Sequence, residues 1–195
     1  MEVSILRCPF CGAGISQKAR VCDYCGHEYM ISSFSSILKA PRADVNKCAN
    51  EYSNALRGDP EDPSLNHSAG ICYMVLGVYE KALASFEKAI NGDPENSSSY
   101  YSAAVCMLNG KSAFLLEKKK VDKAIEYLNA ALTIEELGTY HYLMAYIKYD
   151  FYKRKFLRIE PDYVHHLKMA RSIGISDEER RDLFNLLKVE MPEGF

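Results

Sequence analysis

The sequence predicts a mostly α-helical chain: a helical-hairpin solenoid of about three repeats, with a small cysteine-rich module before it and a capping helix after it. Three observations predict this architecture. Four of the seven cysteines fall within 18 residues near the N-terminus. The middle of the chain places small and aromatic residues at helical spacing. A helix-capping sequence precedes the last apolar stripe.

Composition limits the class of protein. The 195 residues carry 24 basic and 26 acidic side chains, and 48% are hydrophobic, which excludes a disordered chain and a strongly basic nucleic-acid coat. No apolar run reaches the length of a membrane span, and residues 1–8 lack the pattern of a secretory signal. Because the seven cysteines cannot all pair within one chain, we expect a reducing, cytoplasmic compartment.

The most specific motif is a pair of CxxC sequences in residues 1–30. Cys8 and Cys11 form the first pair, Cys22 and Cys25 form the second, and a glycine follows each pair. Two such turns supply the four sulfurs of a tetrahedral Zn²⁺ site. A glycine after the second cysteine permits a left-handed turn in which backbone N–H groups approach the sulfurs.

Residues 7–29 resemble the zinc-ribbon family with its rubredoxin-like knuckles. The resemblance implies that Cys8, Cys11, Cys22 and Cys25 ligate one structural zinc ion, whose binding supplies the folding free energy of so short a segment. Four thiolates close the shell, whereas a catalytic zinc keeps an open position. Iron fits the same sulfurs. A redox CxxC pair is a further alternative, although the sequence lacks the βαβ context that such a pair requires.

A helical repeat is strongest over residues 63–96. Small residues stand where two helices must approach closely, and aromatic residues fill the gap. The residues that carry this pattern are Ala69, Gly70 and Tyr73 on the first predicted helix and Ala82, Phe86 and Ala89 on the second. The window resembles the tetratricopeptide repeat, a 34-residue helix–turn–helix unit. It departs from that family at Asn66, where a large residue such as Trp is preferred.

The resemblance extends over residues 43–175, which we assign to a tetratricopeptide-like array. A step of one period backward predicts a helix at 44–57. Residues 31–42 are Ser-rich and could form a degenerate helix, a strand or a linker. The next repeat forward is eight residues too long, and the extra length falls in residues 110–120. A weaker third hairpin covers residues 139–173.

A capping helix and tail are predicted over residues 176–195. Ser176 and Glu179 have the spacing of a capping box, and the helix has one apolar face. Such a helix is expected at the open edge of a solenoid, because each repeat buries its face only against a neighbour.

Tetratricopeptide arrays bind partners in a concave groove, so the resemblance implies a groove here. Aromatic and aliphatic side chains at the corresponding positions suit a peptide or a partner helix. The same residues can instead pack in the core. The candidate groove residues are His67, Ile71, Met74, Tyr101, Val105, Asn109, Tyr142, Tyr146 and Tyr149.

Together these features predict a non-catalytic adaptor or scaffold for a protein or peptide partner. The sequence has no Gly-rich phosphate loop, nucleophile elbow or HExxH motif, so we expect no enzymatic activity. One alternative is a nucleic-acid-associated protein that uses the cysteine module and residues 148–158, where basic and aromatic side chains alternate. That pattern is also typical of a solvated helix face. Another alternative is a regulatory subunit of an enzyme complex.

Overall fold

A computed structural model of the chain describes residues 6–8, 11–15, 21–26 and 30–195. The fold is mostly helical, as the sequence predicts. The chain divides into two compact units, Met1–Pro94 and Glu95–Phe195. Their boundary lies inside the stretch that the sequence assigns to one array, and the finer domain limits stay a prediction.

The first unit combines a short strand pair with helices that pack in sequence order. Helix α2 packs on α3, and α3 packs on α4, which fits a helical repeat. The strands pair antiparallel, with Leu6 opposite Ile15. The elements are β1 (Leu6–Arg7), β2 (Gly14–Ile15), α1 (Ser35–Leu38), α2 (Arg42–Ala55), α3 (Pro63–Leu76) and α4 (Tyr79–Gly92).

Local sequence sets both ends of α3. The Asp62 carboxylate accepts a hydrogen bond from the Leu65 backbone N–H at 2.8 Å, and Pro63 occupies the first helical position. Gly77 ends the helix in the left-handed region with φ +80°, which a glycine adopts at little cost. Only Gly77 and Val78 separate α3 from α4, so the two helices form a tight hairpin.

Asn66, the departure from the tetratricopeptide pattern, is buried in α3. Its side-chain amide donates to the carbonyl oxygens of Pro60 and Asp62 at 3.0 and 2.9 Å. The amide therefore satisfies two backbone acceptors at the start of the helix, where an aromatic side chain would leave them without this donor.

Residues 31–42 contain the single helical turn α1, irregular backbone on either side of it and, at Arg42, the first residue of α2. Ile31 and Ile37 are buried, and the Ile31 carbonyl oxygen accepts a hydrogen bond from Ser68 Oγ of α3 at 3.2 Å. This segment therefore covers part of α3.

The second unit is built from five helices and two shorter turns. Helix α5 packs on α6, and α7 packs on α6 and α8. The elements are α5 (Ser97–Leu108), a 3-10 turn (Ala113–Leu115), α6 (Lys118–Ile134), α7 (Gly138–Ile147), a π-helical turn (Lys148–Lys153) that continues α7, α8 (Tyr163–Ile173) and α9 (Asp177–Leu187).

The capping box at the start of α9 forms as the sequence predicts. Ser176 Oγ accepts from the Glu179 N–H at 3.2 Å, and the Glu179 carboxylate accepts from the Ser176 N–H at 2.8 Å. Phe184 of α9 stands edge-on to the rings of Tyr142 and Tyr146 on α7, at centroid distances of 6.1 and 5.1 Å. Helix α9 thus covers one face of α7. No helix in the described part of the chain is long and apolar enough to cross a membrane.

Close approach of α3 and α4 depends on Gly70. A Cβ atom there would lie 2.7 Å from Cε1 of the buried Phe86 ring, closer than carbon atoms approach. We therefore expect Gly70→Ala to lower the free energy of unfolding by about 1–3 kcal/mol. In an uncrowded helix, glycine to alanine would instead raise the free energy of unfolding by about 1 kcal/mol. The sign of the change therefore shows whether α3 and α4 are in close contact at Gly70.

Urea denaturation followed by circular dichroism measures this effect. Adding Phe86→Leu to the Gly70→Ala chain should recover part of the loss, because the shorter side chain leaves room for the methyl group. A Gly70→Ala chain more stable than the wild type would contradict the close approach.

Candidate metal centre

Two turns with the same backbone pattern present the four N-terminal cysteines. The Gly12 N–H donates to the Cys8 carbonyl oxygen, and the Gly26 N–H donates to the Cys22 carbonyl oxygen, each at 2.8 Å. Gly12 and Gly26 have φ values of +75° and +71°, a region that residues with a Cβ rarely adopt. Each CxxCG sequence therefore closes a tight turn with both thiols on it.

The four sulfurs come together as one cluster. The Sγ atoms of Cys8, Cys11, Cys22 and Cys25 all lie within 4.8 Å of one another. Cys8 Sγ is 3.5 Å from Cys25 Sγ, and Cys11 Sγ is 3.6 Å from Cys22 Sγ. Tetrahedral coordination with Zn–S bonds of about 2.3 Å places sulfurs about 3.8 Å apart. The spacing fits one metal ion and exceeds a disulfide bond, which is about 2.05 Å long.

Backbone donors favour the thiolate form in this cluster. Burial opposes ionisation of Cys22, but the N–H groups of Cys25 and Tyr24, with the thiols of Cys11 and Cys25, outweigh it and lower the pKa of Cys22 to about 7. Because the thiolate is the form that binds metal, these turns prepare the site for a cation.

This donor set suits a single structural metal ion. Cys8 and Cys22 are buried, Cys25 is half-buried and Cys11 is exposed. Four sulfur ligands complete a tetrahedral shell, so an ion held here has no open position for a substrate. When bound, it would cross-link the two turns. Cys48, Cys72 and Cys106 are buried in helices far along the chain from this cluster.

The candidate groove residues of the first unit lie on α3, away from the cysteine cluster in sequence. His67, Ile71 and Met74 are all buried. His67 Nε2 is 3.3 Å from the Ser32 carbonyl oxygen, and its ring stands edge-on to Phe86 with centroids 5.6 Å apart. Burial lowers the pKa of His67. These side chains fill the unit's interior, and their role in partner binding stays a prediction.

The candidate groove residues of the second unit differ in exposure. Tyr101 stacks on Tyr140 with centroids 4.9 Å apart. Asn109 is exposed and ends α5 in the left-handed region. Val105, Tyr142 and Tyr146 are buried, and Tyr149 is half-buried. Tyr142 and Tyr146 contact the rings of Phe184 and Phe195, so α9 and the C-terminal residue cover this part of α7.

The second unit contains a buried series of hydrogen-bonded polar side chains that the sequence does not predict. Lys148 Nζ lies 3.0 Å from His166 Nε2, His166 Nδ1 lies 2.9 Å from His141 Nδ1, and His141 Nε2 lies 3.3 Å from Glu136 Oε1. Lys148 also donates to the Pro161 carbonyl oxygen at 2.7 Å. Lys148, which the sequence pattern suggests is solvated, is only 4% exposed.

The groups at the two ends of this hydrogen-bonded series, the Lys148 ammonium and the Glu136 carboxylate, determine which atoms donate and which accept. An ammonium group only donates, so His166 Nε2 accepts from Lys148 and His166 Nδ1–H donates to His141. His141 Nε2–H then donates to the Glu136 carboxylate. Burial, with Lys148 nearby, lowers the pKa of His166 to about 3, which keeps the ring neutral. No sequence signal links these residues, because only the packing of α7 on α8 joins them.

Metal content tests the cysteine cluster directly. We expect elemental analysis of the natively purified chain to find one metal ion per chain, because four thiolates complete one shell. Cys8→Ser combined with Cys22→Ser removes one ligand from each turn and should abolish binding. Cys48→Ala combined with Cys106→Ala is the matched control and should retain the ion. Retention by the serine variant, or a metal-free wild type, would refute the site.

Comparison with known proteins gives no guide to function. No protein-family model matches the chain, and no curated protein is significantly similar to it.

Proposed function

We propose that the chain is a non-catalytic adaptor, in which a zinc-folded ribbon is joined to a tetratricopeptide-like array that binds a protein segment. The main support for this proposal is that the Phe195 ring packs on an aromatic surface of the second unit. We call this surface the tyrosine face. It consists of Tyr142, Tyr146, Tyr149 and Tyr163, and three of its members are predicted groove residues.

The tyrosine face surrounds one aromatic side chain. The Phe195 ring has its centroid 5.8 Å from Tyr142, 6.5 Å from Tyr146 and 5.3 Å from Tyr149. It lies nearly parallel to the Tyr163 ring at 6.5 Å. Aromatic pairs of this kind contribute about 0.5–1.5 kcal/mol each beyond the area they bury.

Two arginines hold the backbone that carries Phe195. Arg171 Nη2 donates to the Gly194 carbonyl oxygen at 2.6 Å, and Arg180 Nη1 donates to the Phe195 carbonyl oxygen at 3.4 Å. A pocket for an aromatic ring beside donors for backbone carbonyls is the chemistry of peptide recognition. Phe195 belongs to an irregular segment, residues 189–195, so its ring occupies the tyrosine face as a side chain of a bound peptide would.

A partner segment with an aromatic side chain could make the same contacts once Phe195 moves away. The closed sulfur shell supports the non-catalytic part of the proposal, because an ion held by four cysteines has no position for a reacting molecule. We propose zinc as that ion, since zinc is the usual occupant of a four-cysteine structural site.

Phe195→Ala in the full chain tests the tyrosine face. The probe is a fluorescent synthetic peptide with the sequence of residues 190–195, and the readout is its anisotropy. We expect the variant to bind the peptide at least about tenfold more tightly than the wild type, because the competing ring is gone. A peptide in which the phenylalanine is alanine should not bind.

The matched control is Phe156→Ala, which removes a different phenylalanine and should bind the peptide no better than the wild type. Circular dichroism establishes that both variants are folded. A folded Phe195→Ala chain that does not bind the peptide would contradict the proposed recognition surface.

A further inference from the structure

In the second unit, two segments that depart from the regular helical repeat pack against each other. One is the extra length at residues 110–120, and the other is the π-helical turn Lys148–Lys153 with the loop that follows it. The 3-10 turn of the first packs against the π-helical turn of the second. The tyrosine face does not account for either departure.

Hydrogen bonds to Asp150 link these two segments. Its buried carboxylate accepts hydrogen bonds from Ser112 Oγ at 2.5 Å and from the Phe114 N–H at 2.8 Å, and it pairs with Arg154. Nearby, the Tyr152 hydroxyl donates to Asp122 Oδ1 of α6 at 2.8 Å. The two segments therefore form one continuous surface with the start of α6.

Cations lie over aromatic rings on this surface. The Arg154 guanidinium is 4.6 Å from the Phe114 ring centroid, and Lys155 Nζ is 5.0 Å from it. Lys155 Nζ is also 3.9 Å from the Phe151 ring centroid. These contacts hold the two positive charges beside apolar surface.

Phe156 projects from this surface at an unfavourable backbone conformation. The Leu157 N–H donates to the Tyr152 carbonyl oxygen at 2.8 Å, and the Phe156 N–H donates to the Lys153 carbonyl oxygen at 3.1 Å. This is the Schellman pattern, which places Phe156 at the left-handed position that glycine usually occupies. Its φ is +58°, in the left-handed region that residues with a Cβ rarely adopt.

The strain is not offset by burial of the ring. Phe156 is 94% exposed, and Leu115 and Leu157 are 72% and 47% exposed. The left-handed conformation ends the π-helical turn and turns the Phe156 ring away from the chain, and exposed apolar side chains mark an interaction site when they cluster. Loop 154–158 therefore presents apolar side chains to something outside the chain.

The distribution of charged residues indicates what kind of partner this surface binds. Residues 110–123 and 148–158 together carry ten basic and three acidic side chains, in a chain whose net charge is −2. The other residues carry 14 basic and 23 acidic side chains. Three of the ten basic residues, Lys118, Lys123 and Arg154, pair with Asp122, Glu126 and Asp150. A fourth, Lys148, is buried. Six basic residues therefore remain at the surface: Lys111, Lys119, Lys120, Lys153, Lys155 and Arg158. The surface is thus a positive region on an otherwise acidic chain, and it is complementary to an anionic partner.

We propose that this surface binds an anionic lipid membrane from one side, with Phe156, Leu115 and Leu157 entering the headgroup region and the basic side chains facing lipid phosphates. Amphipathic surfaces of this composition lie in the membrane interface, and basic residues there are attracted to anionic lipids. Single-stranded nucleic acid would use the basic and aromatic groups but not the leucines, because aliphatic side chains do not stack on bases. The observations therefore favour the membrane.

A tryptophan reporter tests the insertion of residue 156. Since the chain contains no Trp, Phe156→Trp creates a single fluorescent indole at the exposed position. Vesicles of phosphatidylcholine with about 30% phosphatidylserine should shift its emission to the blue, and brominated lipid should quench it. Pure phosphatidylcholine vesicles should have a much smaller effect. Tyr24→Trp, at another exposed position, is the matched control and should show neither change.

Charge reversal tests the basic residues by vesicle sedimentation. We expect Lys153→Glu combined with Arg158→Glu to weaken binding by about tenfold or more, because each basic residue near an anionic surface contributes a factor of about five. Lys81→Glu combined with Lys168→Glu changes the net charge equally at other exposed positions and should weaken binding far less. Raising the salt concentration should weaken binding of the wild type.

Three outcomes would overturn the proposal. One is an indole emission of the Phe156→Trp chain that phosphatidylserine vesicles leave unchanged, and another is equal weakening by the two charge-reversal pairs. The third is binding to a single-stranded oligonucleotide with no binding to vesicles, which would assign the surface to nucleic acid. These measurements do not involve the tyrosine face, so they are independent of the proposed adaptor function.

Discussion

The packing of the helix pairs depends on small residues at the points where two helices cross. Two helices can bury their faces only if their backbones come close enough for side chains to interdigitate. At Gly70 the Phe86 ring of the facing helix occupies the space that a side chain would need. At Gly138 the start of α7 lies against the Gly174 carbonyl group at the end of α8, again with no room for a Cβ. A glycine thus sets the spacing in both units, against an aromatic ring at Gly70 and against backbone at Gly138.

The cysteine cluster and the exposed surface around Phe156 are not built from these crossings. The four cysteine sulfurs belong to the first unit and lie on two turns whose geometry is set by left-handed glycines. In the second unit, Asp150 fixes an irregular turn against a π-helical turn, and neither element belongs to a regular hairpin. Packing at the crossings can therefore stabilise the fold while the irregular segments present a cysteine cluster that could hold a metal ion and an exposed, charged surface. Functional positions commonly break the local rules that the rest of a chain obeys.

Features with local causes could be predicted from the sequence. The CxxCG turns, the ends of α3 and the capping box of α9 each depend on residues a few positions apart, so spacing alone reveals them. Long-range features could not be predicted in this way. The burial of His67 depends on Ser32 and Phe86, and the chain from Glu136 through His141 and His166 to Lys148 exists only because α7 packs on α8. The resemblance to a repeat likewise could not reveal that Phe195 covers the tyrosine face.

Amide hydrogen exchange with and without a zinc chelator tests most directly whether the helix pairs are held by their own packing. We expect amides of α3 and α7 to exchange slowly in both conditions, since their protection comes from buried helix crossings. Amides of residues 11–15 and 21–26 should lose protection when the metal is removed, because we expect the ion to hold the two cysteine turns together. Loss of protection in α3 and α7 together with the cysteine module would contradict packing as the source of their stability, because the metal would then stabilise the whole chain.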